Sequence, residues 1–400
     1  MSRVLVTDGN QRSTLALTRA MGRCKISVTV AEKEIPCLSF QSKYCSRTLV
    51  YNPPSSNPNG FVEDILRELK SHTYDLLIPM TDLTAFLVSE NKNQLFRYAQ
   101  IPLPEREMFQ KACDKAEVLK LAQENDIPIP RTYFTEDIDE IKNLSSRLSY
   151  PVVIKPKRSG FFVGNGWVHA GVDYAHSAEE LIGKCQNQNE NLPLPLIQER
   201  ITGPGYGVFA LFNHGKPKAI FSHKRLREKP PSGGVSVLSE SIPVDPLMKR
   251  YATCILEKLS WHGVAMVEFK LDQKEHRPKL MEINPRFWGS LQLPINSGIN
   301  FPYLLYRMST GEDIDPVWEY KVGAKNRWLL GDLDHLLARV LKSNKKLNLP
   351  PGFPSRWKSW WQFLRFSERN LKYEILTSDD PRPGLFELKE YLKRFITKGN

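Results

Sequence analysis

Short β-branched apolar runs alternate with stretches of helical period at the start of the chain. Residues 3–7 read as a strand, Asp8-Gly9-Asn10 as a turn, 13–21 as a helix and 26–31 as a second strand. Strand, helix and strand recur over 47–51, 60–71 and 75–79, with a loop rich in Pro, Ser and Asn at 52–60. This order predicts a Rossmann-like α/β unit. It lacks GxGxxG, so a dinucleotide fingerprint is absent. Asp82 follows the strand ending at Pro79. It either caps the next helix or sits at the carboxyl edge of the sheet, where open α/β sheets bind ligands. The run IPLPE at 101–105 punctuates the chain and sets the first boundary.

Beyond it, a helical pattern over 108–125 contains Asp114 and Lys115. YPVVIKP, at 150–156, is a buried-type strand ending in Lys155. The glycine-bearing loop SGFFVGNG (159–166) and a strand over 167–172 follow. A lysine at the foot of a glycine loop suits phosphate, which backbone N–H groups and an ammonium both hold. The glycines lack Walker spacing. PLIQERI (195–201) is a further strand, and 209–212 pairs with 218–221 about Asn213-His214-Gly215. In the polar passage HKRLREKPPSGGVS (223–236), extension puts Arg225 and Arg227 on one face beside Gly233-Gly234. That pattern describes either an anion site or a solvated charged loop.

An amphipathic helix over 246–261 leads into VAMVEFKLDQKEHRPKLMEINPR, residues 264–286. A hairpin centred near Glu275 places Glu268 opposite Glu282, with Asn284 on the same face. Opposed carboxylates repel, and a divalent cation relieves them; hard oxygen donors suit Mg²⁺ shared with a nucleotide's phosphates. The same spacing also describes a surface hairpin with solvated acids.

Four hundred residues allow two or three domains with a sizeable core. No apolar run approaches the roughly 18 residues of a membrane span. The start, MSRVLVTDGN, enters a strand without a signal-like apolar region, so the chain reads as cytoplasmic. Six scattered cysteines without CxxC argue against zinc or a disulfide framework. The net charge is +12, and residues 319–400 carry 17 Lys/Arg against 9 Asp/Glu.

Taken in order, the Rossmann-like opening, Asp114-Lys115, VIKP with Lys155, the glycine loop, QERI at 198–201, VEF with Glu268 and MEINPR resemble the ATP-grasp superfamily. The likeness is to carboxylate–amine ligases related to the large chain of carbamoyl-phosphate synthase, and it covers roughly residues 3–310. It implies a Rossmann-like pre-ATP-grasp domain (1–105), a two-part α+β ATP-grasp domain (106–315) and a basic, mostly helical extension (316–400). It also implies that Lys115 and Lys155 hold ATP's phosphates and that the loop with Gly160, Gly164 and Gly166 closes over them. Gln198, Glu199 and Ile201 fall at the adenine hinge. Glu268, Glu282 and Asn284 match ligands of Mg²⁺, or of Mn²⁺, and Arg286 the arginine facing the transferred phosphoryl group. The activity implied is joining of a small carboxylic acid to an amine or other nucleophile through an acylphosphate, with catalysis by positioning and charge neutralisation. Arg225 and Arg227 are candidates to orient the acid. Two departures stand out: Phe161, Phe162 and Val163 where relatives carry more glycine, and Tyr206 and Val208 where relatives place acidic ribose contacts.

Outside the resemblance, a helix is expected over 332–341 and a break at 350–354. RWKSWWQFLRF (356–366) then sets Trp357, Trp360, Trp361 and Leu364 on one helical face. That stripe either packs on the body of the protein or, with Arg356, Lys358 and Arg365 beside it, meets a membrane surface. The charge alone, without a recognised module, does not indicate nucleic-acid binding. Two rival functions stand beside the ligase: a membrane-peripheral enzyme acting on an envelope or polysaccharide precursor, and a non-catalytic nucleotide-binding protein.

Overall fold

The computed structural model describes residues 2–164, 166–350 and 352–397. The first unit is a four-stranded parallel sheet in the order Cys45–Val50, Ser27–Glu32, Arg3–Val6, Leu76–Ile78. Its two inner strands are buried beyond their first residues, as expected where helices cover both faces. Helices Arg12–Arg23 and Pro58–Ser71 connect strands of this sheet, and Asp82–Glu90 follows its last strand. The expected single helix over 108–125 is two helices, Arg106–Cys113 and Lys115–Glu124. Asp114 breaks it: its backbone is extended, and its carboxylate accepts from the N–H groups of Ala116 and Glu117, capping the second helix.

A small antiparallel sheet comes next, in the order Thr132–Tyr133, Leu196–Glu199, Val152–Lys155, Asp173–Ala175. The glycine loop is a hairpin of Gly160–Val163 and Gly166–His169, so the strand expected over 167–172 ends three residues early.

The centre of the molecule is a seven-stranded sheet. Arg277–Asn284, Gly263–Asp272, Gly205–Asn213, Lys216–Lys229, Val235–Ser241, Lys325–Arg327 and Leu371–Tyr373 follow one another across it. Gly205–Asn213 shows why its sequence is continuously apolar. Val208, Ala210 and Phe212 enter one core cluster, and Phe209 and Leu211 enter another on the opposite face. The second cluster also holds Val4, Val6 and Leu17 of the first unit, which fixes that unit against the central sheet.

The region after 315 is less separate than an appended helical extension. It contributes helices Leu329–Leu341, Arg356–Phe363 and Arg382–Thr397, but also the last two strands of the central sheet, Lys325–Arg327 and Leu371–Tyr373. Buried charge ties it in on two sides. Arg19 of the first helix donates to Asp380 at 2.9 Å, and Arg227 of the central sheet donates to Asp332 at 2.6 Å. Of the break expected at 350–354, Pro351 lies outside the described residues. The alternative that the tryptophan stripe packs on the body is corrected: Trp357 and Trp361 are 77% and 69% exposed. The helix instead turns Ser359 inward, one position round from the tryptophans.

Candidate active site

Strands Gly263–Asp272 and Arg277–Asn284 pair antiparallel, with Glu268 directly opposite Glu282. The expected hairpin register therefore holds, with a bulge between Glu268 and Phe269. Two lysines from other elements close on Glu282. Lys155, last residue of Val152–Lys155, lies 3.2 Å from Glu282 Oε2 and donates to the carbonyl of Met281 at 2.9 Å. Lys115, first residue of its helix, is 3.7 Å from the same oxygen and donates to Ser159 Oγ at 3.3 Å. Capping by Asp114 aims that helix start at the cleft. Burial opposes ionisation of Glu282, but Lys155 and Lys115 outweigh it and bring its pKa down to about 2. Glu268 moves the other way: burial, aided by the facing Glu282, raises it despite Arg225.

Arg225 holds Glu268 with both nitrogens of its fork, Nη1 to Oε1 at 3.0 Å and Nη2 to Oε2 at 2.5 Å, and Nη1 also donates to Glu228 at 3.0 Å. Arg227, expected beside it, is turned away. The strand bulges at Leu226, which breaks the two-residue alternation. Arg227 donates to Asp332 from Nε and Nη2, both at 2.6 Å, so it is an anchor for the helix Leu329–Leu341 and not a wall of the cleft.

Lys155, Gln198, Glu199, Ile201, Arg225, Glu268, Glu282, Asn284 and Arg286 line one cleft of about 460 Å³. Glu199 accepts from Lys279 at 2.9 Å and from the Arg131 N–H at 2.8 Å, which pins the segment 198–201 at the cleft's inner end. The buried Gln198 donates to Thr132 Oγ1 at 2.9 Å, and its Oε1 has no protein partner.

Lys115 and Gly160 line an adjoining cavity of about 180 Å³ that shares Glu282 and Asn284 with the cleft. Its roof is the glycine hairpin. Gly164 takes φ +57 at the turn next to Gly166. Gly160 cannot carry a side chain, because a Cβ there would lie 2.5 Å from the Trp167 indole. The apolar residues that replace glycine act as a latch. Phe162 packs on Trp167 at 5.0 Å and on Phe86 of the first unit at 6.1 Å.

Arg286 is bound by the first unit as well. Nε donates to Asp82 Oδ1 at 2.6 Å and Nη2 to Oδ2 at 2.9 Å. Asp82 is not the helix cap, which is Thr81 through a capping box with Thr84; it sits past the strand Leu76–Ile78, at the carboxyl edge of the first sheet, and lines the adjoining cavity. Sequence reasoning missed His223, Lys270 and Arg12, which also line the cleft. Two had a signal: His223 lies two residues before Arg225 on its strand, and Lys270 two after Glu268. Arg12 had none, because a helix start in the first unit faces the cleft only through the fold. Val208, noted as a departure at the ribose position, is wholly buried in the core.

The residues fit a nucleotide-bound Mg²⁺ better than an all-protein cage. No group of three His, Cys, Asp or Glu able to hold a metal occurs among the described residues. Two facing carboxylates plus the Asn284 amide oxygen leave positions for phosphate oxygens and water, which Mg²⁺ retains.

Residues 191–329 match the family model described as ATP-grasp in the biosynthetic pathway with Ter operon. The chain is 26% identical to the D-aspartate ligase of Enterococcus faecium over 260 residues, 60% of this chain and 61% of that one. It is 22% identical over 249 residues to the carbamoyl phosphate synthase large chain of Clostridium acetobutylicum, 59% of this chain and 22% of the other. It thus spans less than two thirds of either relative's length. Among solved structures, the biotin carboxylase domain of the Hydrogenobacter thermophilus 2-oxoglutarate carboxylase, in complex with MgADP, superposes with a TM-score of 0.64 at 14% identity. That likeness covers 81% of this chain and 73% of that one. The chain is thus similar to an ATP-grasp family model over residues 191–329, and it shares its overall fold with enzymes of that kind.

Proposed function

We propose that the protein is an ATP-dependent ligase that joins a small carboxylic acid to an amine through an acylphosphate. The observation that carries this reading is the convergence of Lys115, Lys155, Glu268, Glu282, Asn284 and Arg286, from four elements and the loop after the last of them, on the cleft and its adjoining cavity. The D-aspartate ligase relative supports the reaction class, and the MgADP-bound neighbour supports the nucleotide and metal.

Lys115 and Lys155 neutralise the phosphates from two sides, and the hairpin Gly160–His169 covers them and excludes water. Glu268, Glu282 and Asn284 would hold Mg²⁺, which when bound would neutralise developing charge on the phosphates. Arg225, which lines the cleft beside Glu268 and Glu228, would orient the acid's carboxylate. A carboxylate oxygen attacks the γ-phosphorus, the bond to the β–γ bridging oxygen breaks, and ADP leaves. The amine then attacks the acyl carbon. The C–O bond to phosphate breaks, and the surplus ammonium proton passes to solvent. Arg286, aimed by Asp82, neutralises the transferred group in both steps. Little covalent work falls on the protein, so no serine, cysteine or histidine nucleophile is needed.

The test is ATP turnover with a panel of amino acids and small carboxylic acids, with hydroxylamine as the nucleophile. Acid-dependent ADP release with formation of the matching hydroxamate is expected for at least one acid. ATP hydrolysis without any hydroxamate, whatever the acid, contradicts the acylphosphate.

A further inference from the structure

Residues 335–367 contain seven Lys/Arg and no Asp/Glu. Within this run the helix Arg356–Phe363 is firmly held on one side and bare on the other. Arg327, itself buried, donates to the carbonyls of Phe363 at 2.8 Å and Arg365 at 3.3 Å, and its guanidinium lies 4.6 Å from the centre of the Phe363 ring. Arg339 donates to the carbonyl of Pro354 at 2.7 Å just before the helix begins. Arg356 donates to the carbonyl of Lys342 at 3.3 Å, which brings the helix start against the end of Leu329–Leu341.

The outward side is apolar. Trp357, Trp361 and Leu341 are 77%, 69% and 77% exposed, and Trp360, Leu364 and Val340 are exposed as well. Around them stand exposed cations at Lys342, Lys345, Lys346, Arg356, Lys358 and Arg365. Three indoles held outward by buried arginines are costly to leave in water.

We infer that this face docks on an anionic lipid bilayer, the tryptophans and leucines entering the interface and the lysines and arginines meeting the headgroups. Charge complementarity commits it to a negative partner, since the run has cations throughout and no acid. The aliphatic share, Val340, Leu341 and Leu364, favours acyl chains over nucleic-acid bases, which stack on rings and gain nothing from leucine. No helix among the described residues is long and apolar enough to cross a membrane, so the contact is peripheral. It stands independently of the ligase reading.

The experiment is flotation of the full chain with vesicles of phosphatidylcholine alone and of phosphatidylcholine with phosphatidylglycerol, at low and high salt. Co-flotation only with the anionic vesicles, weakened by salt, is expected. Trp357→Ser with Trp361→Ser should lower partitioning at least tenfold, and Arg356→Gln and Lys358→Gln about fivefold each. Circular dichroism and ATP turnover report whether these surface variants remain folded. No partitioning, or equal partitioning of the tryptophan variant, overturns the inference. So does a sedimentation shift from dimer to monomer in the tryptophan variant, which would give the face to a second copy. Binding of poly(U) through the same residues without vesicle binding also overturns it.

Discussion

Arg286 meets Asp82 through two parallel charge-assisted hydrogen bonds, Nε to Oδ1 and Nη2 to Oδ2, at 2.6 and 2.9 Å. The two residues belong to different units: Arg286 follows the strand Arg277–Asn284, and Asp82 opens the helix after the last strand of the Rossmann-like sheet. The first unit therefore aims a side chain in a cleft whose two lysines and two facing carboxylates come from elsewhere. Burial works against the Arg286 charge, yet Asp82 more than compensates and raises its pKa.

Asp82 acts through Arg286, so Asp82→Asn should lower kcat by about 10- to 100-fold, the scale of a misplaced catalytic group, while KM for ATP changes little. Asp82→Glu should recover part of kcat. Steady-state kinetics check this; equal loss in kcat and ATP affinity, without recovery by glutamate, marks Asp82 as merely structural.

The aromatic latch on the glycine hairpin should restrain it. Phe86→Ala removes the first unit's ring from Phe162 and Trp167, each aromatic contact being worth about 0.5–1.5 kcal/mol. Faster proteolytic cleavage within 159–170 and higher acid-independent ATP hydrolysis are expected, because water enters an opened site. Unchanged cleavage and hydrolysis would show that the hairpin stays closed without the latch.

Asp332 accepts from Arg227 and from the fully buried Arg327. Asp332→Asn leaves both guanidinium groups short of a counter-charge and should cost about 3–5 kcal/mol. The denaturant midpoint measures this. Kinetic constants of the folded enzyme should hold, which distinguishes Arg227 as an anchor from Arg227 as a substrate ligand.

His262 stacks on His214 at 4.2 Å, and burial together with His214 and Lys92 lowers its pKa from 6.5 to about 4. The unfolded chain takes up this proton near pH 6.5 and the folded chain only near 4. Stability from this group is thus present above pH 6.5 and is lost as pH falls towards 4. His262→Gln should flatten the dependence of the unfolding free energy on pH across that window, and an unaltered slope contradicts the assignment.

How legible the site was depended on how local its geometry is. Glu268 opposite Glu282 follows from strand alternation about a turn, so counting residues found it. Arg225 and Arg227 obey the same rule until the bulge at Leu226, which side-chain order alone does not announce. Lys115 was found by resemblance, but the break that places it at a helix start was hidden by continuous helical periodicity over 108–125. The capping aspartate was the missed cue. Asp82 to Arg286 and Arg12 to the cleft are contacts between units, and no local pattern encodes them. The tail misled in another way: an apolar stripe at helical spacing usually faces a core, but here buried arginines hold the opposite side and leave the indoles outside.

The central claim is that Glu282 and Glu268, with Lys115 and Lys155, form a magnesium–nucleotide site. Calorimetric titration of a non-hydrolysable ATP analogue, with and without Mg²⁺, tests it on the wild type, Glu282→Gln and Glu268→Gln. Binding by the wild type should require Mg²⁺, and each variant should lose at least tenfold in affinity together with most of the Mg²⁺ dependence, about 1.4 kcal/mol or more. Equal affinity and equal Mg²⁺ dependence in Glu282→Gln would contradict the assignment.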